Sequence, residues 1–272
     1  VRPAKDPLAS RVVQTLRAAG CVFAEDEASV LIDAAADSDQ LWAMVEQRVA
    51  GFPLEPIVGY ADFCGLRVLV EPGVFVPRRR SGFLVQRAVS LVAPAGGVTG
   101  PASIVVVDLC CGTGALGLAI AAALAPRTVE LHAADVEEAA VRCARRNLEP
   151  VGGAVHSGDL FEPLPPELRG RVDLLSANAP YVPTAAIDLM PREARLFEPL
   201  VTLDGGADGV DVHRRLAAAA RDWLAPGGSI LIETSGRQAG ATAEAVSGNG
   251  LRVSVASSAE WDCTVVAGTR TS

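Results

Sequence analysis

A chain of 272 residues, half of them hydrophobic and 4% aromatic, is long enough for one large α/β domain plus a small extra one; its abundant Ala, Val and Leu suit parallel strands buried on both faces under Ala-rich helices. The formal net charge of −8 argues against gripping nucleic acid as the main task, because that affinity comes largely from Lys and Arg releasing counterions. No apolar run approaches the roughly 18 to 20 residues of a membrane span, and the start VRPAKDPLAS lacks the apolar core of a signal peptide, so the cytoplasm is the expected location and no membrane is an expected partner.

Residues 1–54 read as a small helical domain. From Pro7 to Gly51, Leu8, Val12, Leu16, Val30, Leu31, Leu41, Met44, Val45 and Val49 recur at three- and four-residue steps. Asp37, with Gln40 three residues on, is the expected N-cap of the third helix, and Gly51 with Pro53 ends it. Residues 55–80, EPIVGYADFCGLRVLVEPGVFVPRRR, alternate apolar and polar residues between Gly and Pro breaks and read as a β-hairpin connector. The Gly- and Pro-rich run from Ala93 to Ser103 is expected to be a mobile loop inside a catalytic domain spanning 81–272.

From Ser103 onward strands and helices alternate. Ile104 to Asp108 reads as a buried strand, ALGLAIAAALA as a helix, Val129 to Asp135 as a second strand and EEAAVRCARRNL as a second helix. A short strand ending near His156, a strand from Val172 to Asn178, a helix from Val210 to Leu224 and the strand GSILIETS follow. The expected architecture is α/β, a doubly wound Rossmann-like sheet. The last strands, Leu251 to Ala256 and Cys263 to Gly268, are joined by so short a link that they must pair antiparallel. Cys21, Cys64, Cys110, Cys111, Cys143 and Cys263 are scattered without metal-ligand spacing and read as reduced, small hydrophobes, so no metal is expected.

The sharpest local signal is VVVDLCCGTGALGL, a strand running into a turn that opens a helix. Gly112 and Gly114, beside Cys110, let the backbone approach a ligand without Cβ collisions. The next strand ends in Asp135, followed by Val136, where a carboxylate can accept from both hydroxyls of a ribose. Asp108 at the first strand's end is placed to face a cationic amino-acid tail, which favours a sulfonium cofactor over a dinucleotide. In SGDLF, Asp159 can accept from an adenine amine while Leu160 or Phe161 covers the ring; a turn cap is the plain alternative for Asp159.

At the end of the fourth strand stands Asn178-Ala179-Pro180-Tyr181. Here the chain resembles the HemK/PrmC family of protein N(5)-glutamine methyltransferases, whose hallmark at this place is NPPY. EPIVGYADFCGLRVLVEPGVFVPR, VVDLCCGTG, SGDLFEPLP, PREARLFEPLVTLDGGADGVD and LAPGGSILIET extend the likeness over nearly the whole chain. The resemblance implies a class I fold dependent on S-adenosylmethionine, with S-adenosylhomocysteine as product. Its acceptor would be a glutamine in a protein, above all the Gly-Gly-Gln loop of a peptide-chain release factor, met by the N-terminal helices of a monomer. It also implies that Asn178 and the Ala179 carbonyl accept the two amide N–H groups, that Pro180 forms the turn, that Tyr181 packs on the amide, and that Phe75 and Arg78 lie near the cofactor. Two departures point to a paralogue of the standard enzyme: Ala179 replaces a proline, although its main-chain oxygen remains, and PRRRSG (Pro77 to Gly82) replaces an acidic PRPxTE-like run. Methylation of an exocyclic amine of RNA or DNA, or a catalytically silent cofactor-binding protein, are the alternatives.

Overall fold

The computed structural model describes residues 7–92, 103–190 and 192–271. The loop expected over Ala93 to Ser103 lies outside the described residues except for Ser103 itself. No helix among the described residues is long and apolar enough to cross a membrane.

Helices α1 (Pro7–Ala18), α2 (Ala24–Ala34) and α3 (Ser38–Val49) close around Val12, Leu16, Leu31, Leu41 and Val45, all buried. Asp37 caps α3: its Oδ1 accepts the Gln40 N–H at 2.8 Å, while Gln40 Oε1 accepts the Ala36 N–H at 2.8 Å. Gly51, at φ +96°, takes the left-handed conformation that ends the helix. The connector differs from expectation at its start, where residues Leu54–Val58 form a short helix, α4. Leu54, Ile57 and Val58 pack on the helical core, so the local hydrophobic match outweighs the alternating pattern there.

The expected hairpin follows as β1 (Tyr60–Phe63) and β2 (Leu66–Leu69), antiparallel, with Cys64 and Gly65 both at positive φ in the two-residue turn. Beyond it, residues 70–78 cross to a turn of 3-10 helix at Arg79–Ser81 and an unanticipated helix, α5 (Gly82–Val92). Leu84, Val85 and Ala88 bury its inner face, and Gly82 sits so close to Trp261 that a Cβ would lie 2.7 Å from the indole ring.

The main sheet has seven strands: β3 (Ser103–Leu109), β4 (Thr128–Asp135), β5 (Ala154–Ser157), β6 (Val172–Ala177), β7 (Leu224–Thr234), β8 (Arg252–Ser258) and β9 (Cys263–Thr269). Their spatial order is 5-4-3-6-7-9-8; the first five of that row run parallel, and β9 is antiparallel to both its neighbours. Helices α6 (Ala115–Ala123) and α7 (Glu138–Leu148) cover one face with α5, and α9 (Asp211–Trp223) and α10 (Ala239–Gly248) the other, with α8 (Arg192–Phe197) beyond β6.

The period of two along β3 divides the core. Ile104 and Val106 join Leu84, Ile120, Leu131 and Leu148 on one face, whereas Val105 and Val107 join Leu175, Leu216, Trp223 and Val246 on the other. Strand order reverses between β3 and β6, and the crevice outside their carboxyl ends is where such sheets bind ligands.

Candidate active site

A cavity of about 570 Å³ opens at that crevice. Phe75, Arg78, Cys110, Gly112, Asp135, Val136, Asp159, Leu160, Asn178, Ala179, Pro180 and Tyr181 all line it; Asp108 and Gly114 do not. Both exceptions have a local cause. Asp108 is buried, with Oδ2 accepting the Gly117 N–H at 2.9 Å and Oδ1 accepting the Ser176 hydroxyl at 2.9 Å. Its carboxyl therefore ties β3 to the first turn of α6 and to β6 instead of facing a ligand, and burial pushes its pKa up to about 7 despite those donors. Gly114 opens α6 at φ +77°, and a Cβ there would lie 3.1 Å from Leu148 and 3.4 Å from Ala144, so it serves the approach of α7.

Gly112, at φ +54°, turns its N–H onto Asp135 Oδ2 at 2.8 Å, and Asp135 Oδ1 accepts the Glu137 N–H at 3.0 Å. Burial raises the Asp135 pKa against these two bonds, which hold the carboxylate at the cavity wall. Each oxygen keeps a lone pair for further donors. Asp159, two residues beyond β5, is ion-paired with Arg215 of α9. The Phe75 ring lies 5.1 Å from the Arg78 guanidinium, which in turn pairs with the buried Glu198.

The turn after β6 lines the same cavity. Asn178 Nδ2 donates to the hydroxyl of buried Ser81 at 3.4 Å, and Ala179 is buried against the sheet. Tyr181 is held by its main chain: Gln238 Nε2 donates to its carbonyl at 2.6 Å. A Cβ on Gly205 would lie 2.7 Å from Tyr181 Cα, and one on Gly209 would lie 2.4 Å from Tyr181 O. The GGADGVD stretch is thus a backbone cradle for the turn, closed by the Val182 N–H to Leu203 O and Gly205 N–H to Val182 O bonds at 3.0 and 2.9 Å. The Tyr181 hydroxyl accepts from Arg80 Nη2 at 2.9 Å, and burial lifts its pKa to about 12.

Ser81, Glu198, Arg215 and Gln238, which hold site residues in place, carry no signal within a local window; each meets its partner from more than fifty positions away. Glu233 is buried on β7 and meets Arg80 and the Tyr181 hydroxyl. No cluster of three metal-ligating side chains occurs among the described residues. The arrangement brings the Asn178 and Tyr181 side chains, the Asp135 and Asp159 carboxylates and the apolar Val136 and Leu160 to one cavity. It can bind and orient.

Residues 67–192 match the family model "Methyltransferase small domain". The chain is 38% identical over 206 residues to the release factor glutamine methyltransferase of Streptomyces coelicolor, covering 75% of this chain and 71% of that one. It is 34% identical over 197 residues to the 4-amino-L-phenylalanine/4-methylamino-L-phenylalanine methyltransferase of Streptomyces pristinaespiralis, covering 71% and 65% respectively. A methyltransferase from Pyrococcus furiosus superposes with TM-score 0.55 at 16% identity, covering 76% of this chain and 90% of that one, a likeness of fold. With a class I S-adenosylmethionine-dependent methyltransferase fold and relatives of this closeness over most of its length, the chain belongs to the release factor glutamine methyltransferase family.

Proposed function

We propose that the chain methylates the side-chain amide nitrogen of a glutamine in a peptide-chain release factor, with S-adenosylmethionine supplying the methyl group and S-adenosylhomocysteine left as product. The observation that carries this reading is that the Asn178-Ala179-Pro180-Tyr181 turn lines one cavity together with Asp135 and the Gly112 turn that holds its carboxylate.

The residues present fit the cofactor. Asp135 would take the ribose hydroxyls, Leu160 and Val136 the faces of the adenine, and Asp159, shared with Arg215, its amine. Phe75 and Arg78 line the same cavity and would close over the methionine part, and Cys110 and Gly112 supply a close-lying main chain.

An amide nitrogen is a poor nucleophile because its lone pair is delocalised into the carbonyl, so help must come from position and charge. Asn178 Oδ1, left over when Nδ2 donates to Ser81, and the Ala179 carbonyl accept the two N–H groups. They fix the nitrogen toward the methyl donor and stabilise positive charge as it develops there. Pro180 keeps residue 179 out of the helical region, which preserves the carbonyl's direction without a proline at 179. Tyr181 covers the flat amide. Transfer of label to a purified release factor tests the reading. Transfer to a free aromatic amine instead would place the chain beside the relative that methylates 4-amino-L-phenylalanine.

A further inference from the structure

We propose that Arg80, together with Glu233, is a positioning residue that fixes the Tyr181 ring as a rigid wall for the acceptor amide. The role of that wall rests on the amide reading above; the fixing of the ring does not. Three separate elements meet at one point. Arg80, in the 3-10 turn before α5, donates from Nη2 to the Tyr181 hydroxyl at 2.9 Å and from Nε to Glu233 Oε1 at 3.3 Å. The Tyr181 hydroxyl donates to the same Oε1 at 3.5 Å. The phenol is thereby an acceptor toward Arg80 and a donor toward Glu233, with both directions of its hydroxyl committed.

Glu233 makes the triangle strict. Its side chain is 1% exposed, and Oε2 has no hydrogen-bond partner among the described residues. Among the described residues its side chain is met at Oε1 alone, by Arg80 and Tyr181, and Arg80, the one cation of the three, cannot swing away without leaving a buried carboxylate uncompensated. Arg80 itself is 42% exposed and lines the cavity, so its guanidinium reaches the phenol and Glu233 from the cavity side. Its function is local. The Tyr181 main chain is fixed independently by Gln238, Gly205 and Gly209, so losing Arg80 frees the ring and spares the turn. The pair also keeps a cation near the acceptor neutralised, which matters where the reacting nitrogen gains positive charge.

Steady-state transfer from S-adenosylmethionine to a purified release factor, with the full chain, is the activity arm. Arg80→Ala lowers kcat roughly 10- to 100-fold, as expected of a misplaced orienting group, and leaves KM for S-adenosylmethionine within about twofold. Arg80→Lys recovers part of the loss, because a point charge reaches Glu233 but cannot also span to the phenol. Added to Tyr181→Phe, Arg80→Ala causes little further loss. Wild-type kcat in Arg80→Ala, or full additivity with Tyr181→Phe, would overturn the proposal. A second arm needs no substrate. The chain has two tyrosines, so 3-fluorotyrosine labelling in a Tyr60→Phe background reports Tyr181 alone. The fluorine line is narrow with Arg80 and broadens or splits in Arg80→Ala; an unchanged line overturns the clamp. If the unaltered chain leaves the release factor unlabelled, the proposed substrate fails, and the fluorine spectra still decide the clamp.

Discussion

Asn178 gives one arm of its amide to Ser81, Nδ2 to Oγ at 3.4 Å, and this leaves Oδ1 as the arm available to a substrate. The two residues lie 97 positions apart, in the turn after β6 and in the 3-10 turn before α5. Asn178→Ala removes the acceptor and is expected to lower methyl transfer by roughly 10²- to 10³-fold, the scale of losing one preorganised group at a developing charge. Cofactor binding, followed by calorimetry, persists. Ser81→Ala keeps the acceptor and loses only its orientation, so its expected cost is about 1 kcal/mol, roughly fivefold in rate. An Asn178→Ala variant with ordinary turnover would remove the turn from the mechanism.

Asp135 affects binding more than chemistry. It receives the Gly112 and Glu137 N–H groups and presents its remaining lone pairs to the cavity. Asp135→Ala is expected to weaken S-adenosylmethionine by about 1.5 to 3 kcal/mol, the range for hydrogen bonds to a charged group, or roughly 10- to 100-fold in Kd. At saturating cofactor, kcat changes much less. A Kd unchanged by calorimetry would show that the ribose is held elsewhere.

Asp108 predicts a pH effect on stability. Its folded pKa, about 7, lies above the unfolded carboxylate's ordinary value of about 3.9. Between those values the native chain holds a proton that the unfolded chain has released, so this group's contribution to stability falls as pH rises from about 4 to 7. Asp108→Asn keeps an oxygen for Gly117 and a polar group for Ser176 and has no such dependence. Urea midpoints at pH 5 and pH 8 should therefore show the variant gaining on the wild type at the higher pH. A difference independent of pH would mean that Asp108 stays ionised in its burial site.

The parts of the site legible in the sequence are those written in short windows. The Gly112 turn and Asp135 follow from strands that end where a helix begins, and the hairpin at Cys64-Gly65 and the cap at Asp37 follow from residue chemistry within four positions. Asp108 shows the limit. An acid at a strand's end can point outward to a ligand or inward to its own helix, and only the packing of Gly117, where a Cβ would lie 3.2 Å from Asp108 Cβ, turns it inward. Helices α5 and α10 went unanticipated for different reasons. GFLVQRAVSLV carries apolar residues on more than one face, and AGATAEAVSG is too rich in small residues to show a clear stripe. The supports of the turn, Ser81, Arg80, Glu233 and Gln238, reach Asn178 and Tyr181 across at least fifty positions, a distance at which spacing carries no information.

The most direct test of the central claim is transfer of labelled methyl from S-adenosylmethionine to purified peptide-chain release factors, with a Gln-to-Ala variant of the Gly-Gly-Gln loop and ribosomal RNA in parallel. The account predicts label on the wild-type factor, none on the loop variant and none on RNA, which would also show that Ala179 serves in place of proline. Label on RNA alone, or on the loop variant as strongly as on the wild type, would contradict it.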